Sequence, residues 1–262
     1  MTKKKTIEDF GLELTSGQIE GMQHIHKFGR NKAVSTTFVP VCIGGVYQTP
    51  QMAAATALRV KAGGNAADTS NGNGAREITL QGLDQTGELI TATLATAGES
   101  ASAATSETFS RLFRCWVSAS GTYATASAGS HSANIVIENS AGGTDWATID
   151  STNFPRGQSE IGCYSVPIGK KAYISNVVVS VDSSKVADVI FFQRQGITLS
   201  SPPYLAMRTW LDIGGLSGEE FISPKVPFGP FPGGTDIGAM ARVPTTTSEV
   251  DVEFEIILVD DV

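Results

Sequence analysis

The sequence is poor in charge and in long apolar runs. Charged residues make up 17% of the 262 residues, against roughly 25% in ordinary soluble domains, and small residues take their place. Such a weakly charged surface suits a protein that neighbouring subunits cover, although a β-rich surface with many turns has the same composition. No stretch approaches the roughly 18 apolar residues that a membrane-spanning helix needs, so no membrane partner is expected.

Cysteine and histidine are also scarce. The three cysteines, Cys42, Cys115 and Cys163, lie far apart, and no Cys-x-x-Cys or Cys/His spacing predicts zinc. We expect buried free thiols in a chain that folds in a reducing cytoplasm. The basic N-terminus is not followed by an apolar segment of the kind found in secretory signals, so no export signal is expected.

The net charge of −7 is unevenly distributed. Residues 1–50 carry a net +2, and the remaining 212 residues therefore carry −9. An acidic body does not bind nucleic acid by counterion release, so nucleic acid is excluded as a partner. The run Lys3–Lys5 is interpreted as a solvated terminus.

The N-terminal 50 residues differ in character from the rest of the chain. They contain scattered apolar residues without a core-forming run, and Gly17 and Gly21 weaken a short helix predicted over Leu14–Ile25. We therefore predict an extended arm over residues 1–50 that is ordered on another subunit. Its candidate assembly contacts are four apolar anchors and two cations that would pair with an acidic neighbour: Phe10, Leu12, Ile25, Lys27, Phe28 and Arg30.

From about Val41 onwards, short alternating strands and turns predict an all-β fold. Arg76–Thr96 is typical of a hairpin, and Glu249–Val259 alternates apolar residues with acids. The proline-containing segment Phe221–Phe231 is predicted to be an edge strand or an extended connection. A Pro/Gly-punctuated stretch at Asn153–Gly157 suggests a boundary, so we predict two β-sandwich-like domains, residues 51–153 and residues 154–262.

Three segments resemble a family of virion structural proteins of tailed double-stranded DNA phages. They read HIHKFGRN, GAREITLQGLDQTGELITATL and GQSEIGCYSVPIGKKAYIS. The resemblance spans the chain from about His26 onwards and implies a non-catalytic virion component made in the host cytoplasm. Its partners would be other virion proteins and further copies of itself. A capsid decoration (cement-type) or head-associated role fits the arm, and a tail or head–tail junction ring remains an alternative.

No catalytic, cofactor-binding or metal site is predicted, and the protein is expected not to be an enzyme. His24-x-His26 would place two rings on one side of a strand, but no third ligand at a suitable spacing completes a metal site. Asp251, Glu253 and Glu255 alternate as the solvated face of a strand does, rather than forming the acid pair of a glycosidase.

A host-receptor or carbohydrate-binding spike or fibre module is the remaining alternative. It would need tryptophans exposed among the loops, and the candidates are Trp116, Trp146 and Trp210. Isolated tryptophans in β-sandwiches usually belong to the core, so we expect these three to be packing residues.

Overall fold

The computed structural model describes residues 7–49, 54–124, 129–199 and 201–261. Strands account for 52% and helix for 5% of the structure, and all sheets are antiparallel. The all-β prediction is therefore confirmed. The Lys3–Lys5 run and the boundary predicted between residues 50 and 51 lie outside the described residues.

One α-helix precedes sixteen strands in the described part of the chain. The elements are α1 (Ile7–Thr15), β1 (Met22–Val34), β2 (Val39–Pro40), β3 (Leu58–Val60), β4 (Ala75–Leu83), β5 (Leu89–Ala95), β6 (Arg111–Ser120), β7 (Ile135–Asn139), β8 (Asp145–Ile149), β9 (Cys163–Ser165), β10 (Lys170–Val181), β11 (Ala187–Gln195), β12 (Arg208–Leu216), β13 (Gly218–Ile222), β14 (Phe228–Pro232), β15 (Thr235–Arg242) and β16 (Ser248–Asp260).

The strands form four sheets in a propeller-like arrangement. The first sheet has the order β1-β16-β10-β13, with β14 also paired to β10. The second has the order β12-β11-β15-β2, with β9 also paired to β15. The third and fourth sheets are three-stranded, with the orders β3-β7-β8 and β5-β4-β6.

The prediction of two β-sandwich-like domains is corrected by this four-sheet arrangement. Apolar packing also crosses the predicted boundary, because Leu83 and Phe113 belong to the same buried cluster as Phe254. A second cluster joins Ile78 of β4 to Phe192 of β11. The boundary between residues 153 and 154 itself stays a prediction.

The prediction of an extended arm is wrong for residues 22–34. Strand β1 pairs with β16 from Met22 opposite Val259 to Val34 opposite Ser248, so this segment is an edge strand of the first sheet. The helix expected over Leu14–Ile25 lies further towards the N-terminus, at Ile7–Thr15. The cause is the pair of glycines that weakened the predicted helix. Gly17 and Gly21 adopt φ of +71° and +72°, a left-handed conformation that ends α1 and turns the chain into β1.

Other strands lie where the alternation predicted them. In β16, Val250, Val252, Phe254, Ile256 and Leu258 are all buried in the core. The hairpin predicted over Arg76–Thr96 is formed by β4 and β5. The segment Phe221–Phe231 runs from the end of β13 into β14 on an outer edge of the first sheet, as its prolines predicted.

An ionic network centred on two fully buried residues joins strands from both halves of the sequence. Asp236 on β15 accepts hydrogen bonds from Arg111 Nε at 2.9 Å, Arg111 Nη2 at 3.0 Å and Arg194 Nη2 at 3.0 Å. Ser165 Oγ donates to the same carboxylate at 2.5 Å, and Tyr47 OH lies 2.8 Å from Ser165 Oγ. Arg111 and Asp236 are inaccessible to solvent, so this network fixes β6 against β9, β11 and β15.

Candidate functional site

Helix α1 contacts its own chain with one face and leaves the opposite face exposed. Leu14 is buried, with 5% of its surface exposed, whereas Leu12 is 70% and Phe10 is 42% exposed. Residues two apart on an α-helix point about 200° apart, so Leu12 faces away from the side that Leu14 packs against the protein. Phe10, four residues before Leu14, lies only about 40° from it around the helix axis, so its 42% exposure is at the edge of the attached face and not beside Leu12. Both predicted assembly contacts are accessible to solvent on an ordered helix, but on different sides of it.

The next two predicted contacts are only partly accessible. Ile25 on β1 packs against the first hydrophobic cluster. Phe28 is half-buried, and its ring centroid lies 5.7 Å from that of His26. Both side chains contribute to the protein's own packing, and a role for either in contacts with a neighbour stays a prediction.

The two predicted cations have partners within their own chain. Lys27 is buried, and its Nζ donates to the carbonyl oxygen of Phe113 at 2.5 Å. Burial lowers the pKa of Lys27 to about 8. Arg30 Nη2 lies 2.6 Å from Glu249 Oε1, and Arg30 Nε lies 3.5 Å from Asp251 Oδ1. The sequence analysis expected both cations to pair with a neighbouring subunit. Instead, Lys27 binds β6 and Arg30 binds β16 of the same chain.

The acids of β16 include one carboxyl that titrates near neutral pH. Burial and the adjacent Glu249 raise the pKa of Asp251 to about 6, although Arg30 acts in the opposite direction. Glu160, which is itself buried and paired with Arg156 at 2.7 Å, adds a smaller repulsion. A raised carboxyl pKa is a property that general acids share, but here the carboxyl faces Arg30 in an ion-pair cluster.

The two histidines of β1 converge on one carboxylate. His26 Nδ1 lies 2.7 Å from Glu255 Oε1, and His24 Nε2 lies 2.5 Å from Glu255 Oε2. The strand register places His26 directly opposite Glu255, a long-range pairing that the sequence alone did not predict. Within the described ranges, no group of three or more histidine, cysteine or acidic residues is arranged to hold a metal ion.

Four further exposed apolar residues lie on outer strand β13 or on the segments next to β12 and β14, and we call them the outer-strand patch. Its members are Leu205, Met207, Phe221 and Val226, which are 48%, 46%, 62% and 77% exposed. The segments that carry Met207 and Val226 adjoin where Trp210 of β12 packs on Phe228 of β14, with ring centroids 4.9 Å apart, and Phe221 lies on β13 opposite Val178 of β10. These strands lie at sheet edges, where unpaired backbone groups are available to a partner.

The tryptophans are mainly packing residues. Trp146 is 4% exposed, and Trp210 lies among Phe191, Phe228 and Phe231 while its Nε1 donates to the Phe192 carbonyl at 3.0 Å. Trp116 is half-buried, with the Arg114 guanidinium 5.7 Å from its ring centroid. A glycan surface built on these residues stays a prediction.

The three cysteines are buried free thiols, as their wide spacing predicted. Cys42, Cys115 and Cys163 are free and buried. Burial raises the pKa of the Cys115 thiol to about 12, and it raises that of Cys163 well above the ordinary value. Both are therefore neutral thiols at physiological pH.

Comparison with known proteins identifies no family. No protein-family model matches the chain, and no curated protein matches it. Among solved structures, the isomalto-dextranase of Arthrobacter globiformis T6 in complex with panose shares 10% identity over 90% of this chain, with a TM-score of 0.23. This chain spans 35% of that protein's chain, and a likeness at this TM-score carries no argument. No helix within the described residues has the length and apolar character needed to cross a membrane.

Proposed function

We propose that this chain is a non-enzymatic structural protein that assembles with further copies of itself, α1 of one copy binding the outer-strand patch of the next. The observation that carries the proposal is the geometry of α1, which is attached through Leu14 and presents Leu12 and Phe10 to solvent. The resemblance to virion structural proteins favours a capsid decoration or head-associated role. A ring at the tail or at the head–tail junction is the alternative place in the virion.

Charge supports this choice of occupant. The sequence of α1 contains Glu8, Asp9 and Glu13 but no basic residue. In the outer-strand patch, Arg208 follows Met207 and Lys225 precedes Val226 in the chain, and both basic residues are exposed. The patch is basic only at its Met207 and Val226 end, because Glu219 lies on the same exposed face of β13 as Phe221. Complementary electrostatics with α1 are therefore confined to that end, where they favour correct pairing more than raw affinity.

The expected interface is modest for any one pair of copies. Burying Leu12 contributes up to about 1.5–3 kcal/mol, and Phe10 adds less because only 42% of its surface is exposed. The loss of translational and rotational freedom offsets much of this gain. A contact between two different surfaces leaves both surfaces free at the ends of a pair, so it continues into a ring or a filament. Repetition around a closed ring would supply the stability that one contact lacks.

Light-scattering mass measurements test this head-to-tail arrangement. The unmodified chain is expected to form an oligomer at micromolar concentration. The double substitution Phe10→Ser with Leu12→Ser, and separately Phe221→Ser with Val226→Ser, should each give monomers, because each removes one half of the contact. An equimolar mixture of the two variants should give dimers and nothing larger, since only one intact α1 can meet one intact patch.

The matched control is Phe154→Ser, which removes an aromatic ring that is 50% exposed elsewhere on the surface. This variant should keep the mass of the unmodified oligomer. A monomeric unmodified chain would contradict self-assembly, and an oligomer that survives both double substitutions would contradict the assignment of its surfaces.

A further inference from the structure

A pocket of about 420 Å³ lies between the first half of β1, the turn after β4 and the turn before β10. Its volume is within the range of roughly 300–1,000 Å³ that is typical of small-molecule sites. The apolar part of its wall includes Phe28, Phe113, Tyr164 and Leu258. The assembly surfaces proposed above do not use this pocket.

The mouth of the pocket carries two apolar side chains and is held in place. Leu89 and Ile168 line the pocket while 48% and 41% of their surfaces remain exposed. The two turns that carry them are joined, because the amide of Ile168 donates to the carbonyl of Gly87 at 3.0 Å. Asp84 Oδ1 in turn accepts hydrogen bonds from the amides of Thr86 and Glu88. The rim is thus preformed rather than assembled on binding.

The charge of the pocket is cationic. Lys27 and Arg114 line it, and neither forms an ion pair with an acid of the described residues. The neighbouring thiols of Cys115 and Cys163 are neutral, so they do not compensate Lys27. A third cation, Lys170, is paired with Asp260, and Glu88 is the one acid among the described residues that line the pocket.

We propose that this pocket binds an apolar carboxylate, whose charged group pairs with Lys27 and Arg114 while its hydrocarbon body lies against Phe28 and Phe113. A buried cation without a counter-charge is costly, and a bound anion removes that cost. The aromatic part of the wall and the two apolar rim residues favour a ligand with a hydrocarbon body, because a small hydrophilic anion would lose hydration without gaining apolar contact. The two cations favour an anionic group and the aromatic wall favours a hydrocarbon body, and an apolar carboxylate has both.

Displacement of a fluorescent amphipathic anion tests the site in the full-length chain. 1-Anilinonaphthalene-8-sulfonate is expected to bind saturably, with one molecule per chain, to protein whose circular dichroism confirms the folded state. Decanoate, used below its micelle concentration, should displace the dye. Decanol, which has the same hydrocarbon body without the charge, should displace it far less effectively.

Two variants of the rim residue Leu89 distinguish an effect of charge on binding from an effect of misfolding. Leu89 is half-exposed, so its replacement does not open the core. Both variants remove the same apolar rim contact, so the comparison isolates charge: Leu89→Glu should bind decanoate roughly fivefold more weakly than Leu89→Lys at low salt. Phe154→Glu adds the same charge at a residue that is 50% exposed and lies outside both the pocket and the proposed assembly surfaces, so it should leave binding unchanged. Equal displacement by decanol and decanoate, equal effects of Leu89→Glu and Phe154→Glu, or non-saturable dye binding would each overturn the proposal.

Discussion

Replacing Asp236 with alanine is expected to lower the free energy of unfolding by about 3–5 kcal/mol, the usual cost of removing one partner from a buried ion pair. The loss leaves the fully buried guanidinium of Arg111 without a counter-charge. Arg194 and Ser165 also lose their shared acceptor. Urea unfolding at pH 7, followed by circular dichroism, measures the effect.

The matched control is Asp145→Ala, because Asp145 pairs with Lys61 at 2.8 Å on the surface. Its removal should cost less than about 1 kcal/mol, as exposed pairs do. Similar losses for Asp236→Ala and Asp145→Ala would contradict a structural role for the buried network.

The Asp236 network also predicts a direction of pH dependence. Burial alone would raise the pKa of Asp236, but the charges and hydrogen bonds of Arg111, Ser165 and Arg194 outweigh it and lower the pKa. A lowered folded-state pKa contributes stability above the unfolded value of about 3.9, and that stability is lost as the pH falls through the folded-state pKa. The acid-induced loss of stability should therefore be smaller in Asp236→Asn than in the unmodified protein.

Replacing Gly29 with alanine is expected to cost at least about 3 kcal/mol, the upper end of ordinary overpacking. A Cβ atom on Gly29 would lie 2.1 Å from the Gly162 nitrogen and 2.1 Å from the Val41 oxygen. Both are backbone atoms that cannot rotate away, so β1 would have to move from its place beside β2 and β9. Chemical unfolding again measures the loss.

Gly214→Ala is the control, since it adds the same methyl group to a glycine in strand β12. The nearest atom to a Cβ there is Asp188 Oδ1 at 3.8 Å, an ordinary contact. The change should be within about 0.5 kcal/mol of zero, as for most surface substitutions. A tolerated Gly29→Ala would mean that β1 does not pack closely against the body.

The sequence predicted those strands whose burial follows simple alternation. Strand β16 alternates Val250, Val252 and Phe254 with acids, and the structure buries the apolar set. The sequence did not predict that β1 belongs to the folded body. The residues of β1 that face the core include Lys27, Gly29 and Asn31, and none of these residue types suggests a buried position. Lys27 is accommodated by the carbonyl of Phe113, 86 residues away in the chain, and Asn31 by the carbonyl of Pro40 on the next strand along the chain, β2. Gly29 is required by close backbone packing against Val41 and Gly162.

Of the candidate site, the sequence predicted the exposed helix residues but not the features that depend on how the strands pair. Phe10 and Leu12 are exposed, as the contacts predicted for them require. The pairing of Arg30 with Glu249 depends on the register between β1 and β16, and the outer-strand patch depends on which strands end the sheets. Neither feature follows from local spacing, because strand order is set by the packing of the whole chain.

The central claim is that β1 belongs to the folded body and α1 is the assembly element. The most direct test compares urea unfolding and light-scattering mass for the full chain, a chain that begins at Gln18 and a chain that begins at residue 35. The Gln18 form should be monomeric and lose no more than about 3 kcal/mol of stability, the contribution of burying Leu14. The residue-35 form should show no cooperative unfolding. Full stability without β1, or an unchanged oligomer without α1, would contradict the claim.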